Sequence, residues 1–434
     1  MRLVRPITNS FSAILLLLVM FLLALQGKAQ ENSPYSRYGL GDFVPGQNIL
    51  NRGMGGLSSA FADYSSVNFT NPASYASLKI TTFDIGLDYN SRSLRALNPP
   101  RKFNSAYLIP SYMQIGLPLS KKKNWGMNIG LRPITRINYD ILLNTRISGI
   151  DSAQYSYLGN GGTYQAFTGM AYGTKNLSIG FNAGYMFGNK EYSTRLSFVN
   201  DTINYKTTNS ADTTRFGGLF FNAGIQYKIK LNEKTILRLG FHGNLSTSMK
   251  ATRNISRETI AYNPNAGVVV IDSIYSSQDQ KGTIVHPSSW GAGFMFEGEN
   301  MWMFGGEIGV ANWADYRYFG TADKMVNNWT GRIGGQFVPD FKSSNYWQRV
   351  TYRIGASFGP DNVQLNKAIP QYMFSFGTGL PVRRNVYTNQ YTTINTAFEL
   401  GFRGNKSNDI RENIFRFSLG LSLSDIWFNK PKYQ

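Results

Sequence analysis

The 434-residue chain carries no cysteine, which excludes a disulfide framework and any thiolate metal site. Charged residues make up only 16% while aromatics reach 14%, with 26 Tyr, 29 Phe and 44 Gly, a balance that excludes an ordinary soluble secreted domain. The formal charge of +19 comes from Lys and Arg scattered among glycine and aromatic residues. That excludes a nucleic-acid footprint and suits attraction to outer-membrane lipid and lipopolysaccharide phosphates.

The first element in chain order is an address. Arg2 and Arg5 supply a positive start, Ala13 to Leu25 is an apolar run, and Gly27-Lys28-Ala29 presents small residues at the positions a signal peptidase reads. The run is shorter than the roughly 20 residues that a membrane-spanning helix needs. Residues 1–29 are therefore expected to be a signal peptide cleaved before Gln30, with the protein exported to the outer membrane. No later run is long and apolar enough for a helical span, so export as a soluble protein or as a β-barrel remains.

Residues 30–79 are different in kind. Gly39, Gly41, Gly46, Gly53, Gly55 and Gly56 alternate with Pro34, Pro45 and Pro72, and no long alternating run occurs. Scattered Tyr35, Tyr38, Phe43, Met54, Leu57, Phe61 and Tyr75 argue for a folded insert over a disordered tail. Gly53, Gly55 and Gly56 follow no strand and lack a Lys-Ser/Thr ending, so they read as a tight turn and not a phosphate cradle. In Asn71-Pro72-Ala73 the proline fixes its own φ and biases Asn71 to an extended conformation, which suits a chain about to enter a strand. This turn is expected to hold the segment as a hatch.

From residue 80 to 424 the signal is period-2 alternation. Phe83, Ile85, Leu87 and Tyr89 share one face, and Asp84, Gly86, Asp88 and Asn90 the other. Ile179, Phe181, Ala183, Tyr185 and Phe187 repeat the pattern, as do Phe415, Phe417, Leu419, Leu421 and Leu423 against Arg416, Ser418, Gly420 and Ser422. One oily face and one Gly/Ser/Asn face, over about ten residues or more, fit tilted membrane strands that close into a barrel. Strands are predicted at 80–92, 104–117, 125–139, 164–173, 177–187, 215–230, 235–249, 289–297, 301–311, 329–338, 350–358, 371–379, 391–403 and 412–423, about fourteen. Short gaps at 118–124, 174–176, 231–234 and 298–300 alternate with long ones at 140–163, 188–214, 250–288 and 312–328. Residues 425–434, with Trp427-Phe428-Asn429-Lys430-Pro431-Lys432, are expected to be a periplasmic tail.

Arg52-Gly53-Met54-Gly55-Gly56, Asp63 and Asn68-Phe69-Thr70-Asn71-Pro72-Ala73-Ser74-Tyr75 resemble the start of FadL-type outer-membrane proteins. Pro287-Ser288-Ser289-Trp290-Gly291 through Asn312-Trp313, Tyr352-Arg353-Ile354-Gly355 and Phe374-Ser375-Phe376-Gly377-Thr378-Gly379 are similar to that family's C-terminal half. The resemblance implies an all-β, 14-stranded transmembrane antiparallel barrel with an N-terminal hatch in its lumen. It also implies passive transport of hydrophobic or amphipathic small molecules, fatty-acid-like or aromatic. The same barrel type occurs as a non-transporting partner in protein secretion, so a secretion or surface-protein partner is the alternative.

No catalytic constellation is legible. His242 falls on a wet strand face and His286 precedes Pro287 in a gap, and without cysteine a metal or nucleophile site would rest on carboxylates alone. No enzyme activity, metal or cofactor is expected. Continuing the alternation puts Arg132, Arg238, Arg332, Arg353 and Arg416 inside, with Glu297, Glu307 and Glu399 as the main acids. A register shift of one would place a guanidinium in lipid at roughly 2–4 kcal/mol. These arginines either pair with lumen acids and hatch carbonyls or bind an anionic amphiphile, for which Arg332 and Arg353 on neighbouring strands, with Arg416, are the candidates. Met295, Met301 and Met303 are read as facing inward opposite Phe294, Phe296, Trp302 and Phe304. They form either packing against the hatch or an apolar stripe for a ligand's tail.

Overall fold

The computed structural model describes residues 33–425 apart from 98–99, 121–122, 149–151, 200–202, 204, 264, 266, 300 and 383–390. The expected signal peptide and residues 426–434 of the expected tail lie outside the described residues.

Fourteen antiparallel strands form a ring: β1 (Thr81–Ala96), β2 (Arg101–Pro118), β3 (Asn124–Arg146), β4 (Ser152–Gly173), β5 (Leu177–Val199), β6 (Thr207–Lys230) and β7 (Thr235–Asn244), then β8 (Ser289–Gly298), β9 (Trp302–Ala311), β10 (Asn328–Phe337), β11 (Thr351–Pro360), β12 (Pro370–Val382), β13 (Tyr391–Arg403) and β14 (Ile410–Asp425). Each pairs with the next, and β14 pairs with β1 from Asp425↔Thr81 to Ile410↔Ala96, so the sheet closes on itself. Closure gives every strand a partner on both sides along at least part of its length, as a membrane barrel requires. The alternation sets the direction of each side chain. On β14, Phe415 and Leu423 are about 40% exposed on the outer face, while Arg416 and Ser418 between them are buried within.

The predicted number of strands holds, but their lengths do not. β3 to β6 run 22 to 24 residues each, through the stretches 140–163 and 188–214 read as loops. Ladder pairs continue from Asp140↔Leu158 to Arg146↔Ser152. About ten residues cross a bilayer, so the excess stands beyond it, where water bathes both faces and no apolar alternation is imposed. The stretch 250–288 is likewise a long hairpin, Thr247–Asn263 with Gly267–His286. It continues β7 and β8 past breaks at Leu245–Ser246 and at Pro287, which has no N–H for a ladder. The predicted strand 235–249 thus ends at Asn244. These extensions raise a wall on the long-loop side over β3 to β8.

Residues 33–80 fold inside the ring. Asn48 caps the short helix α1 (Ile49–Gly53) by accepting from the Asn51 N–H at 2.9 Å. Asn71 caps the 3-10 turn Pro72–Ser77 by accepting from the Ala73 N–H at 3.1 Å. α1 packs on β11 to β14 and the 3-10 turn on β2 to β6, so the segment bridges the lumen. Its apolar residues, among them Ile49, Met54, Leu57, Phe61, Val67 and Tyr75, are buried against inward-facing side chains of the strands.

One part of the wall is incomplete without this segment. β2 and β3 pair only from Met113↔Leu131 to Pro118↔Gly126, and β3 carries an irregularity between Pro133 and Thr135. Above it the free edge of β3 pairs with Asp42–Phe43, and the Val44 N–H donates to the Ile134 carbonyl at 3.0 Å. Val44 packs with Tyr107 and Ile109 of β2, filling the slot from the other side.

Candidate functional site

The lumen's centre is a charge network that sequence reasoning missed. Arg52 on α1 is fully buried and donates to both oxygens of Asp88 on β1 at 2.9 Å. It also donates to Glu399 on β13 at 2.5 and 3.0 Å, and to Ser418 Oγ on β14 at 2.6 Å. Burial disfavours the Arg52 charge, but Asp88 and Glu399 outweigh it and hold the guanidinium above its ordinary basicity. Arg416 closes the network, donating to Asn90 at 2.5 Å and to Glu399 at 3.4 Å.

The next turn is fixed from the facing wall. Glu307 on β9 accepts from the Ser58 and Ser59 N–H groups at 2.7 Å each, and from Arg332 at 2.9 Å. Gly55 and Gly56 take φ of +71° and +86°, the left-handed region that side chains disfavour, so the tight-turn reading of this run stands. Gly55 donates its N–H to Ser375 Oγ at 2.9 Å.

Nearer the long-loop end a second network holds the chain's earlier part. Asp42 pairs with Arg92 and, at 2.9 Å, with Arg403, which also reaches Asp361 at 2.5 Å and Glu412 at 3.4 Å. Ser33 donates to Glu412 at 2.9 Å, and the Arg403 guanidinium lies 4.4 Å over the Tyr35 ring. Burial pushes the Asp42 carboxyl up, but Arg92 and Arg403 overcome it and hold it at about 2.

The arginines read as inward do face inward, and they are engaged. Arg238 pairs with Glu297 at 2.7 Å, and Arg132 donates to Gln165 at 2.7 Å and to the Gly46 carbonyl at 3.0 Å. Arg353 donates to Gln336 and Asn395, each at 3.1 Å. Pairing with lumen acids, amides and a carbonyl of the N-terminal segment is the arrangement present.

Arg332 and Arg353 are on neighbouring strands but not together. Arg332 is opposite Ser357 and Arg353 opposite Gln336, four positions along β10, or about 13 Å of strand rise. The Gly53–Gly56 turn lies between them, with Gly53 against Arg353 and Gly56 against Arg332. Two cavities result. One of about 410 Å³ lies toward the long loops and contains Arg332 and Arg416 with Arg52, Arg132 and Glu399. The other, of about 570 Å³ at the short-turn end, contains Arg353 and Met303.

Met295 and Met303 face inward and pack on Leu50, Met54, Leu57 and Phe61. Met301 departs from expectation: it precedes β9 in the turn, its N–H donating to the Gly298 carbonyl at 2.9 Å. The turn residue is released from the alternation because β9 begins one position later than predicted, at Trp302. His242 is half-buried and lies 3.1 Å from Ser59 Oγ. His286 closes the long hairpin and stacks edge-on to Trp313, and burial pulls it down to about 4.

Asn71-Pro72-Ala73 sits against glycines of the wall. A methyl group at Gly180 would stand 2.6 Å from the Pro72 carbonyl, and one at Gly224 1.9 Å from Asn71 Oδ1. Gly126 and Gly240 similarly receive the Tyr75 and Ser59 carbonyls. Wet-face glycines in strands therefore carried a signal of close backbone approach. A second missed signal was Asp84 and Asp88, paired acids on the inward face of β1.

Compared with known proteins, residues 11–434 match the family model described as BamG. No curated protein matches the sequence. Among solved structures, a Pseudomonas aeruginosa FadL homologue aligns with a TM-score of 0.59 at 11% identity, covering 89% of this chain and 100% of that one. The Pseudomonas putida toluene transporter TodX gives 0.57 at 15% identity, covering 89% and 100%. The CymD monoaromatic hydrocarbon channel gives 0.56 at 13%, covering 88% and 98%. The FadL-type barrel fold implied by the sequence resemblance is thus the fold observed. The family assignment is not the one the resemblance named.

Proposed function

Because the chain belongs to the BamG family, we propose that it is a closed outer-membrane barrel that serves as a membrane-embedded partner of other envelope proteins. Residues 33–80 act as its hatch. The observation that carries this reading is the buried Arg52–Asp88–Glu399 network, which ties the segment to β1 and β13 across the middle of the lumen. It separates two cavities whose walls are charged and amide-rich, so an apolar cargo would have to displace water from charged and amide side chains. The partner work then falls to the loops, the raised wall and the mouths of the barrel.

A second reading, passage of hydrophobic or amphipathic molecules, is supported by the slot between β2 and β3. It is closed only by Asp42–Val44 and borders the 410 Å³ cavity. Release of that strand would give a lateral way out to lipid. Purification from native membranes, together with uptake of long-chain acids and small aromatics by a deletion strain, separates the two. A stable co-purifying complex with unchanged uptake supports the partner role, and lost uptake without a complex overturns it.

A further inference from the structure

The 570 Å³ cavity opens at the end of the barrel with short turns, which in outer-membrane barrels is the periplasmic end. Lys79 before β1, Lys175 in the β4–β5 turn, Lys228 near the end of β6 and Arg349 just before β11 all line it. Among the described residues none of these four has a carboxylate partner, and Arg349 Nε is buried without a hydrogen bond. Of the two acids in the lining, Glu297 is paired with Arg238 at 2.7 Å, and Asp63 accepts from the Ser65 N–H and hydroxyl at 2.7 and 2.8 Å and keeps its charge.

The mouth therefore carries an excess of positive charge: six cations, Lys79, Lys175, Lys228, Arg238, Arg349 and Arg353, against the two acids Asp63 and Glu297. Its cations stand on separate elements around the ring, so no single small anion reaches them all. Phe341, 54% exposed, lines the same cavity and adds an apolar contact that an inorganic ion would leave unused.

We propose that this vestibule receives an acidic, extended polypeptide segment presented from the periplasm. The inference deepens the partner reading by naming the chemistry of one partner. Carboxylates of the segment meet Lys79, Lys175, Lys228 and Arg349 in turn, while its apolar side chains cover Phe341. The field of these four cations around the mouth draws the segment in, and salt weakens it.

The test uses the full barrel in detergent and a fluorescein-labelled poly-glutamate peptide, followed by anisotropy. Lys175→Gln, Lys228→Gln and Arg349→Gln are each expected to weaken binding by about fivefold, the upper range for an exposed ion pair. Lys123→Gln, in a turn at the same end but outside the cavity, is expected to leave binding unchanged. Heat-modified gel migration verifies that every variant remains a folded barrel. Equal weakening by Lys123→Gln would reduce the effect to general rim charge and overturn the proposal. Displacement by millimolar inorganic phosphate would overturn it in favour of a small-anion site. Absence of peptide binding while a native complex still co-purifies sinks this inference and leaves the partner role standing.

Discussion

Replacing Arg52 by Met keeps the length of the side chain and removes its charge. Asp88, fully buried, then loses both of its 2.9 Å contacts from the guanidinium. Breaking a buried ion pair from one side costs about 3–5 kcal/mol, because the partner is left charged and dry. Glu399 keeps Arg416 at 3.4 Å, so the lower end, about 3 kcal/mol, applies. Ile49, Met54, Leu57 and Phe61 stay buried and keep the segment in the lumen, so the barrel survives and the change is local. Transient release of α1 from the wall should rise by about two powers of ten. Hydrogen exchange of the amides from Asn51 to Gly56 in detergent reads this directly, against strand amides of β13 as an internal standard. Asp88→Asn added to Arg52→Met should restore most of the protection, since a neutral amide tolerates the site. If exchange in the single variant changes by less than about threefold, or if β13 loosens equally, the network is not what holds the segment.

The remaining expectations concern close packing, acid and independence of sites. Gly180→Ala forces a methyl to within 2.6 Å of the Pro72 carbonyl and should lower stability by about 1–3 kcal/mol, seen as a lower temperature for heat-modified gel migration. Gly46→Ala, whose nearest neighbour stands 3.9 Å away, should leave that temperature unchanged. Asp42 is held at about 2, below its ordinary 3.8, so its contribution is complete above 3.8 and is lost as pH falls through 2. Circular-dichroism melts should show destabilisation confined to that window and reduced in Asp42→Asn. Arg332→Gln and Arg353→Gln should act independently on stability, with a double-mutant coupling under about 0.5 kcal/mol, because separate cavities and the Gly53–Gly56 turn divide them. A larger coupling measured in thermal melts would place them in one site after all.

The sequence by itself determined the barrel, its number of strands and which face of each strand looks inward. Lipid imposes that information residue by residue: Phe415 outside and Arg416 inside follow from position in a period of two, whatever the neighbouring strands do. Local chemistry was legible for the same reason, as at Asn71 before Pro72 and at Gly55 and Gly56, where short-range sterics decide the backbone. The tertiary structure alone decided the partners. Whether Arg353 meets Arg332 or Gln336 depends on the stagger between strands, and that stagger is a property of the closed ring. The role of Arg52 was invisible because its segment has no period, and its acids arrive from β1 and β13, hundreds of residues apart in the chain. The long strand extensions escaped notice because outside the bilayer both faces meet water. There the ladder's hydrogen bonds persist while the alternation that reveals a strand is no longer enforced.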